Sequence, residues 1–161
     1  MPEHTSMSMV RRKSSKKLKD SNSDPPELKI VIPNPSDVPK PTDCPSGWLP
    51  IDILLVTVKE CELLSCYAHL RNPLRCHISR LGTYVYFGNV ADDQDARMKI
   101  GLMKCHEGSI GPGSSFTTVK NAITVLRPKG AIAVGYCSGL NKMKTKLGDV
   151  VVSEKLTTYA N

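Results

Sequence analysis

Small residues gather at two places in the chain, and both follow apolar segments. The first stretch, KCHEGSIGPGSS, covers residues 104–115 and holds three glycines and three serines. The second runs from Gly135 to Gly139. Glycine has no side chain, so backbone amides in such loops approach an anion or a sugar hydroxyl closely. These stretches therefore favour ligand-binding loops, and a tight turn that requires small residues is the alternative.

Neither stretch matches a standard nucleotide-binding motif. No Gly-Lys-Ser/Thr sequence closes the first loop, and GSIGPG lacks the G-x-G-x-x-G spacing. Pro112 removes one backbone N–H donor, which weakens an anion cradle. A helix that begins at Ser114 adds partial positive charge beside the loop.

Metal and cofactor chemistry is not indicated. No pair of the six cysteines has C-x-x-C spacing, and the histidines do not complete a zinc-finger pattern. We therefore expect no bound metal and no cofactor. Four cysteines lie in apolar runs and are expected to be reduced, small core residues, with a catalytic thiol as the alternative: Cys61, Cys66, Cys105 and Cys137.

The elements that must position the two loops alternate between strand and helix patterns. Strands are predicted over residues 51–58, 83–90, 98–105, 129–139 and 147–159. Helices are predicted over residues 59–71, before Asn72-Pro73, and from Ser114 or Ser115 to Arg127-Pro128. The segments 83–90 and 98–105 can pair as a hairpin. The alternation predicts an α/β fold with a mixed central sheet flanked by helices.

Ligands of an open α/β sheet bind outside the carboxyl ends of its strands. If both small-residue loops lie on that edge, they share one crevice.

Composition divides the 161-residue chain at residue 47. Residues 1–46 are rich in proline and basic, without a sustained apolar pattern, and are predicted to be a disordered leader. Residues 47–161 form the predicted domain.

The net charge of +7 includes the basic cluster Arg11–Lys19, which is expected to be a solvated tail. A nuclear-import signal or a weak polyanion contact is the alternative. No aromatic residues interleave with these charges, so nucleic-acid binding is not favoured. With no signal-peptide pattern and no apolar run of membrane-spanning length, an intracellular, cytoplasmic location without membrane insertion is expected.

Two longer stretches resemble the nucleoside phosphorylase and nucleosidase superfamily. They are SIGPGSSFTTVKNAITVLRPKGAIAVGYCSGL and KLGDVVVSEKLTTYA, and the start DILLVTVKECELL is also similar to the family's first strand. The resemblance covers residues 51–161 and implies a phosphorylase/hydrolase-like fold. It also implies cleavage of the N-glycosidic bond of a purine nucleoside, with water or phosphate as acceptor.

The resemblance also assigns roles to individual residues. Glu60 lies where nucleosidases keep a carboxylate that activates the attacking water, although an acid that only favours the helix N-terminus is an equal alternative. Residues that match the loop behind the sugar and acceptor pocket, with its helix entry, are Gly108, Ser109, Gly111, Ser114 and Ser115. Residues that match the turn on the base and ribose side are Gly135, Tyr136, Cys137 and Gly139.

Two departures from the family pattern change what is expected. Ala133 and Tyr136 stand where bacterial-type phosphorylases place an arginine and a serine for phosphate, so hydrolysis is favoured over phosphorolysis. The family's base-protonating acid and ribose-gripping glutamate lie beyond the matched region, so we expect the chain to be the N-terminal half of a longer domain.

The alternative function is a non-catalytic nucleoside-sensing or interaction module with the same fold in a larger signalling protein. Phosphate, a second copy of the chain and fused signalling domains remain open as partners.

Overall fold

The computed structural model describes residues 27, 29–44, 47–91, 97–108, 114–137 and 148–153. Its described strands are β1 (Ile53–Thr57), β2 (Arg71–Ile78), β3 (Thr83–Ala91), β4 (Arg97–Lys104) and β5 (Gly130–Ala133). Its described helices are α1 (Glu60–Tyr67), α2 (Ser115–Leu126) and a 3-10 turn at Pro35–Asp37. None of these helices is long and apolar enough to cross a membrane.

The five strands form one mixed sheet in the order β2-β3-β4-β1-β5. Strand β1 runs parallel to β4 on one side and to β5 on the other. Strand β3 is antiparallel to both β2 and β4, which confirms the predicted pairing of residues 83–90 with 98–105. The prediction of an α/β fold with a mixed sheet is therefore confirmed.

Apolar side chains cover both faces of the sheet, because alternate residues of a strand point to opposite faces. Leu54 and Val56 belong to the cluster that includes Ala122 and Leu126 of α2. A second cluster contains Leu63 of α1 and residues of β3 and β4: Tyr86, Ile100 and Leu102. Helix α1 thus packs on one face and α2 on the other.

Both ends of α2 agree with the sequence pattern. The Oγ of Ser114 accepts a hydrogen bond from the Thr117 backbone N–H, with 3.5 Å between the two heavy atoms. Arg127 closes the helix with a left-handed φ of 50°. The polar N-cap at Ser114 and the stop before Pro128, which predict this helix, are both confirmed.

The prediction of a helix over residues 59–71 was wrong at its end. Helix α1 stops at Tyr67, and the chain from Arg71 enters β2, which sequence analysis missed. Asn72 has a φ of 50°, and the register of β2 against β3 shifts between Arg71 and Leu74. Pro73 is tolerated there, because an edge strand with a bulge does not need every N–H group for its ladder.

Strand β5 is shorter and more exposed than the predicted buried strand over residues 129–139. It ends at Ala133, and all four of its residues are exposed. In the described sheet β5 pairs with β1 and lies at the edge, which explains this exposure. Residues 148–153 of the predicted strand 147–159 have no strand structure, and the other residues of that prediction lie outside the described ones.

The chain divides into two compact units, Lys29–Tyr136 and a second unit made of Met1–Leu28 with Cys137–Asn161. All the helices and strands named above belong to the first unit. The sequence-based boundary at residue 47 falls inside that unit. The backbone N–H of Thr42 donates to the carbonyl of Arg75 at 2.8 Å, which ties the segment before residue 47 to β2.

Candidate functional site

Three parallel strands end side by side at one edge of the sheet. Thr57 of β1 pairs with Lys104 of β4, and Val56 pairs with Ala133 of β5. Because parallel strands point the same way, the segments after β4, β1 and β5 all leave from this carboxyl edge. The described segments that lead into the two small-residue loops, and the start of α1, therefore leave the sheet at the same edge, where open α/β sheets bind ligands.

Glu62, in the first turn of α1, connects the end of β1 to the turn after β5. Its Oε2 accepts hydrogen bonds from the backbone N–H groups of Val58 at 3.0 Å and Lys59 at 2.9 Å. Its Oε1 accepts the Tyr136 N–H at 3.3 Å. The hydrogen bond from Lys59, together with those from Val58 and Tyr136, lowers the pKa of the Glu62 carboxyl. Glu62 is therefore an anionic acceptor that holds two loops together.

Glu60 points to the other side of the same helix turn. Its Oε2 lies 3.4 Å from Nζ of Lys104 at the end of β4, and its side chain is 54% exposed. A second ion pair, between Lys59 and Glu107, crosses the same gap between β1 and β4. Exposed pairs of this kind each stabilise by at most about 1 kcal/mol, so Glu60 is held loosely.

A cavity of about 290 Å³, which we call the Arg75 pocket, lies on the α1 side of the sheet next to Glu60. Its wall includes side chains from α1, β2, β3 and the end of β4: Glu60, Leu63, Arg75, Tyr84, Tyr86 and Lys104. His106, which follows β4, also contributes. Cations, tyrosine rings and one carboxylate thus share a single cavity.

The first glycine loop is described only in part. Gly108 has a φ of 94°, a conformation that favours glycine, and its carbonyl accepts the N–H and the Oγ–H of Ser115 at 3.0 and 2.7 Å. Ser114 is buried, and its hydroxyl caps α2. These contacts show a loop tied to the start of a helix. Two other predicted binding residues, Ser109 and Gly111, lie outside the described residues.

The second loop approaches α1 through its backbone. A Cβ atom at Gly135 would lie 3.3 Å from Oε1 of Glu62, so a side chain there crowds that carboxylate. Tyr136 binds Glu62 through its N–H, while the residue as a whole is 71% exposed. Cys137 is exposed and belongs to the other compact unit, and Gly139 lies outside the described residues. The contact between this loop and α1 is therefore made by Glu62, a residue that the sequence analysis did not single out.

The cysteines only partly follow the expectation of small core residues. Cys105 is buried and Cys66 is half-buried, and burial raises the pKa of both thiols. Cys61 and Cys137 are exposed, so the expectation was wrong for these two. Within the described ranges, no group of three or more His, Cys, Asp or Glu side chains is arranged to hold a metal ion.

Sequence analysis missed Glu62 and the Arg75 pocket. Glu62 follows Lys59 by three residues, the spacing of a capping box, but the signal is obscured because Lys59 is not a Ser or Thr. The sequence of β2 contains a pattern that indicates one side of the pocket. In this strand apolar Leu74, Cys76 and Ile78 alternate with polar residues. That alternation predicts a strand with one polar face, and Arg75 belongs to that face.

Comparison of the chain with known protein families, with curated proteins and with solved structures gave no match.

Proposed function

We propose that this protein binds a purine nucleoside at the carboxyl edge of its sheet and cleaves the N-glycosidic bond with water. The observation that carries the proposal is the meeting of three parallel strand ends at one edge. That edge brings the acidic first turn of α1 between the loop at Gly108 and the turn at Gly135. The resemblance to nucleosidases requires these parts to be neighbours.

The two acids of this turn take different roles. Glu62 uses both carboxylate oxygens to accept backbone N–H groups, so its role is to position the turn at Tyr136. Glu60 is more than half exposed and pairs with Lys104 at 3.4 Å. A general base needs an oxygen that can reach a water molecule, and Glu60 has one. We therefore assign activation of the attacking water to Glu60.

Water is favoured over phosphate as acceptor because of residues at the end of β5 and in the first glycine loop. Ala133 ends this strand and offers no hydrogen-bonding side chain, and Pro112 removes a donor from the glycine loop. A phosphate dianion needs charge-assisted donors for tight binding. Water is uncharged, so hydrolysis does not require charge-assisted donors on this side of the site.

Nucleoside binding without cleavage is the second candidate, and Tyr136 favours it. The residue is 71% exposed while its backbone is anchored to Glu62. A solvent-exposed aromatic ring on an anchored backbone is suited to stack on a purine base. Such a contact supplies affinity but no acid or base for bond cleavage.

The test is release of free base from inosine and adenosine by the full-length protein purified from its native source, measured by chromatography. Wild-type protein should release base, and Glu60→Gln should lower the rate roughly a hundredfold or more, because the amide does not take up a proton from water. Glu107→Gln is the matched control, since it removes an exposed carboxylate from the same edge without touching the proposed base.

Three outcomes separate the candidates. Turnover that is lost in Glu60→Gln and kept in Glu107→Gln supports hydrolysis with Glu60 as base. Saturable nucleoside binding by calorimetry, without turnover and weakened by Tyr136→Ala, supports the sensing module. Neither binding nor turnover overturns both.

A further inference from the structure

The Arg75 pocket has a rigid cationic side chain in its wall. The guanidinium carbon of Arg75 lies 4.1 Å from the ring centroid of Tyr84 and 5.7 Å from that of Tyr86. Tyr86 is in turn packed edge-on against Tyr67 of α1, with 5.7 Å between the ring centroids. Stacking on aromatic rings fixes the plane of a guanidinium and leaves its N–H edge available for a planar acceptor.

One donor of this guanidinium is unsatisfied. The Nε of Arg75 is buried and has no hydrogen-bond partner within the described part of the chain. A buried donor without an acceptor is unfavourable, and for a charged group the cost is larger. Nε is shielded from solvent, so a ligand in the cavity that Arg75 lines would have to bind the terminal N–H groups of the guanidinium.

The charges around the pocket indicate what kind of acceptor fits. Lys104 also lines the cavity, but the Glu60 carboxylate lies 3.4 Å from its Nζ and offsets its charge. Among the described residues, Arg75 has no ion-pair partner, so it supplies positive charge to the pocket. A monoanion matches that charge, whereas a phosphate dianion carries twice the charge and would be repelled about twice as strongly by Glu60.

The rest of the pocket favours an apolar ligand body. Leu63 and the rings of Tyr84 and Tyr86 line it together with the charged groups. A volume of about 290 Å³ is at the lower end of the range for small-molecule pockets.

We propose that the Arg75 pocket binds a small organic carboxylate, with the carboxylate on the Arg75 guanidinium and the apolar body against Leu63 and the tyrosine rings. A carboxylate offers two coplanar oxygens, the geometry that an arginine fork accepts with two parallel hydrogen bonds. This inference goes beyond the proposed nucleoside chemistry, which uses Glu60 but does not require Arg75.

The test is titration of the whole chain with benzoate. Binding is measured by calorimetry and by changes in amide chemical shifts. Benzamide, which has the same shape without the charge, is the ligand control. Arg75→Gln should weaken benzoate binding roughly tenfold or more, because the charge-assisted pair is lost. Arg80→Gln, an exposed arginine in the β2–β3 turn, removes the same charge and should bind like wild type.

The variant Arg75→Lys distinguishes loss of the binding contact from damage to the fold. Lysine keeps the charge but lacks the planar fork, so it should bind benzoate more weakly than wild type while the unfolding midpoint of the free protein confirms that the fold is kept. Acetate should bind more weakly than benzoate, because it leaves the apolar wall uncovered. Both results support the proposal.

The proposal is overturned if benzamide binds as tightly as benzoate, or if Arg80→Gln weakens binding as much as Arg75→Gln. Tighter binding of phenyl phosphate than of benzoate would also overturn it, since the pocket would then select a dianion. No nucleoside is present in these titrations, so they succeed or fail independently of the hydrolysis assay.

Discussion

The two sides of the first turn of α1 lie on the same sheet edge and differ in how many hydrogen-bonding groups are already paired. On the β5 side, Glu62 accepts three backbone N–H groups and joins two loops. On the β4 side, Glu60 has an exposed cation as partner and borders a cavity with an unpaired arginine donor. Two carboxylates two residues apart thus differ in their contacts and in how much hydrogen-bonding capacity is free. A residue whose hydrogen-bonding capacity is used up supports a site, whereas one with free capacity can act on a ligand.

Removal of the side chain that seats α1 should disturb both sides together and give the largest effect. Leu63 is buried between the helix and the sheet, so Leu63→Ala should lower the free energy of unfolding by about 3 kcal/mol through lost contacts and a residual cavity. Urea unfolding followed by the fluorescence of Trp48, which packs against Phe87, measures this change.

Ile123→Ala is the control for the loss of side-chain volume, because Ile123 of α2 is 45% exposed. Ile123→Ala should lower the free energy of unfolding by less than half as much as Leu63→Ala does. Equal losses would show that burial of Leu63 is not what holds α1 to the sheet.

The second substitution separates the two sides. Glu62→Gln should lower the free energy of unfolding by about 1 kcal/mol, as loss of a helix cap does, because one amide oxygen cannot replace a carboxylate that accepts three N–H groups. Glu60→Gln removes only an exposed ion pair. It should lower the free energy of unfolding by less than half as much as Glu62→Gln does. Urea unfolding of the two variants compares them directly, and a larger loss for Glu60→Gln would reverse the comparison.

The pH dependence of the Glu62→Gln effect checks its cause. Folding lowers the pKa of Glu62 below its ordinary value of 4.5, so the unfolded chain takes up this proton first as the pH falls. The stability from Glu62 is thus fully present above that value and is lost as the pH drops through the lowered pKa. The gap between wild type and Glu62→Gln should shrink from about pH 6 to about pH 3. A constant gap would exclude the carboxylate charge as the cause.

The smallest effect on stability is expected for the ion pair between Glu60 and Lys104, on the β4 side. A double-mutant cycle with Glu60→Gln and Lys104→Gln should give a coupling energy below about 1 kcal/mol, because both side chains are exposed and the pair is screened by water. The coupling should fall further when salt is raised from about 0.05 to about 0.5 M. A coupling above about 2 kcal/mol would show that Glu60 is a structural residue and unsuited to the role of base.

Local patterns were sufficient where neighbours in sequence decide the structure. The cap at Ser114, the stop at Arg127 and the pairing of β3 with β4 agree with the predictions. The prediction failed at β2, where Asn72 and Pro73 indicated the end of a helix. Their turn chemistry is accommodated by a bulge on an edge strand, which depends on the partner β3 and is not visible in the segment itself.

The candidate site shows the same division. Sequence analysis identified Glu60 and the small-residue loops, but it did not predict that Glu62 would make the contact to Tyr136. That contact joins residues 74 positions apart. It exists because β5 lies beside β1 and not beside β4, an order that no local pattern encodes.

The amino-acid sequence by itself determined most of the elements, the α/β class and the small-residue loops at the strand ends, since these follow from hydrophobic periodicity, capping and the properties of glycine. Only the tertiary structure decided which acid supports a loop and which faces a cavity, and that Arg75, Lys104 and Glu60 line that cavity together. Those relations depend on strand order and on long-range packing, because electrostatics and hydrogen bonds act between groups that are close in space, whatever their separation along the chain.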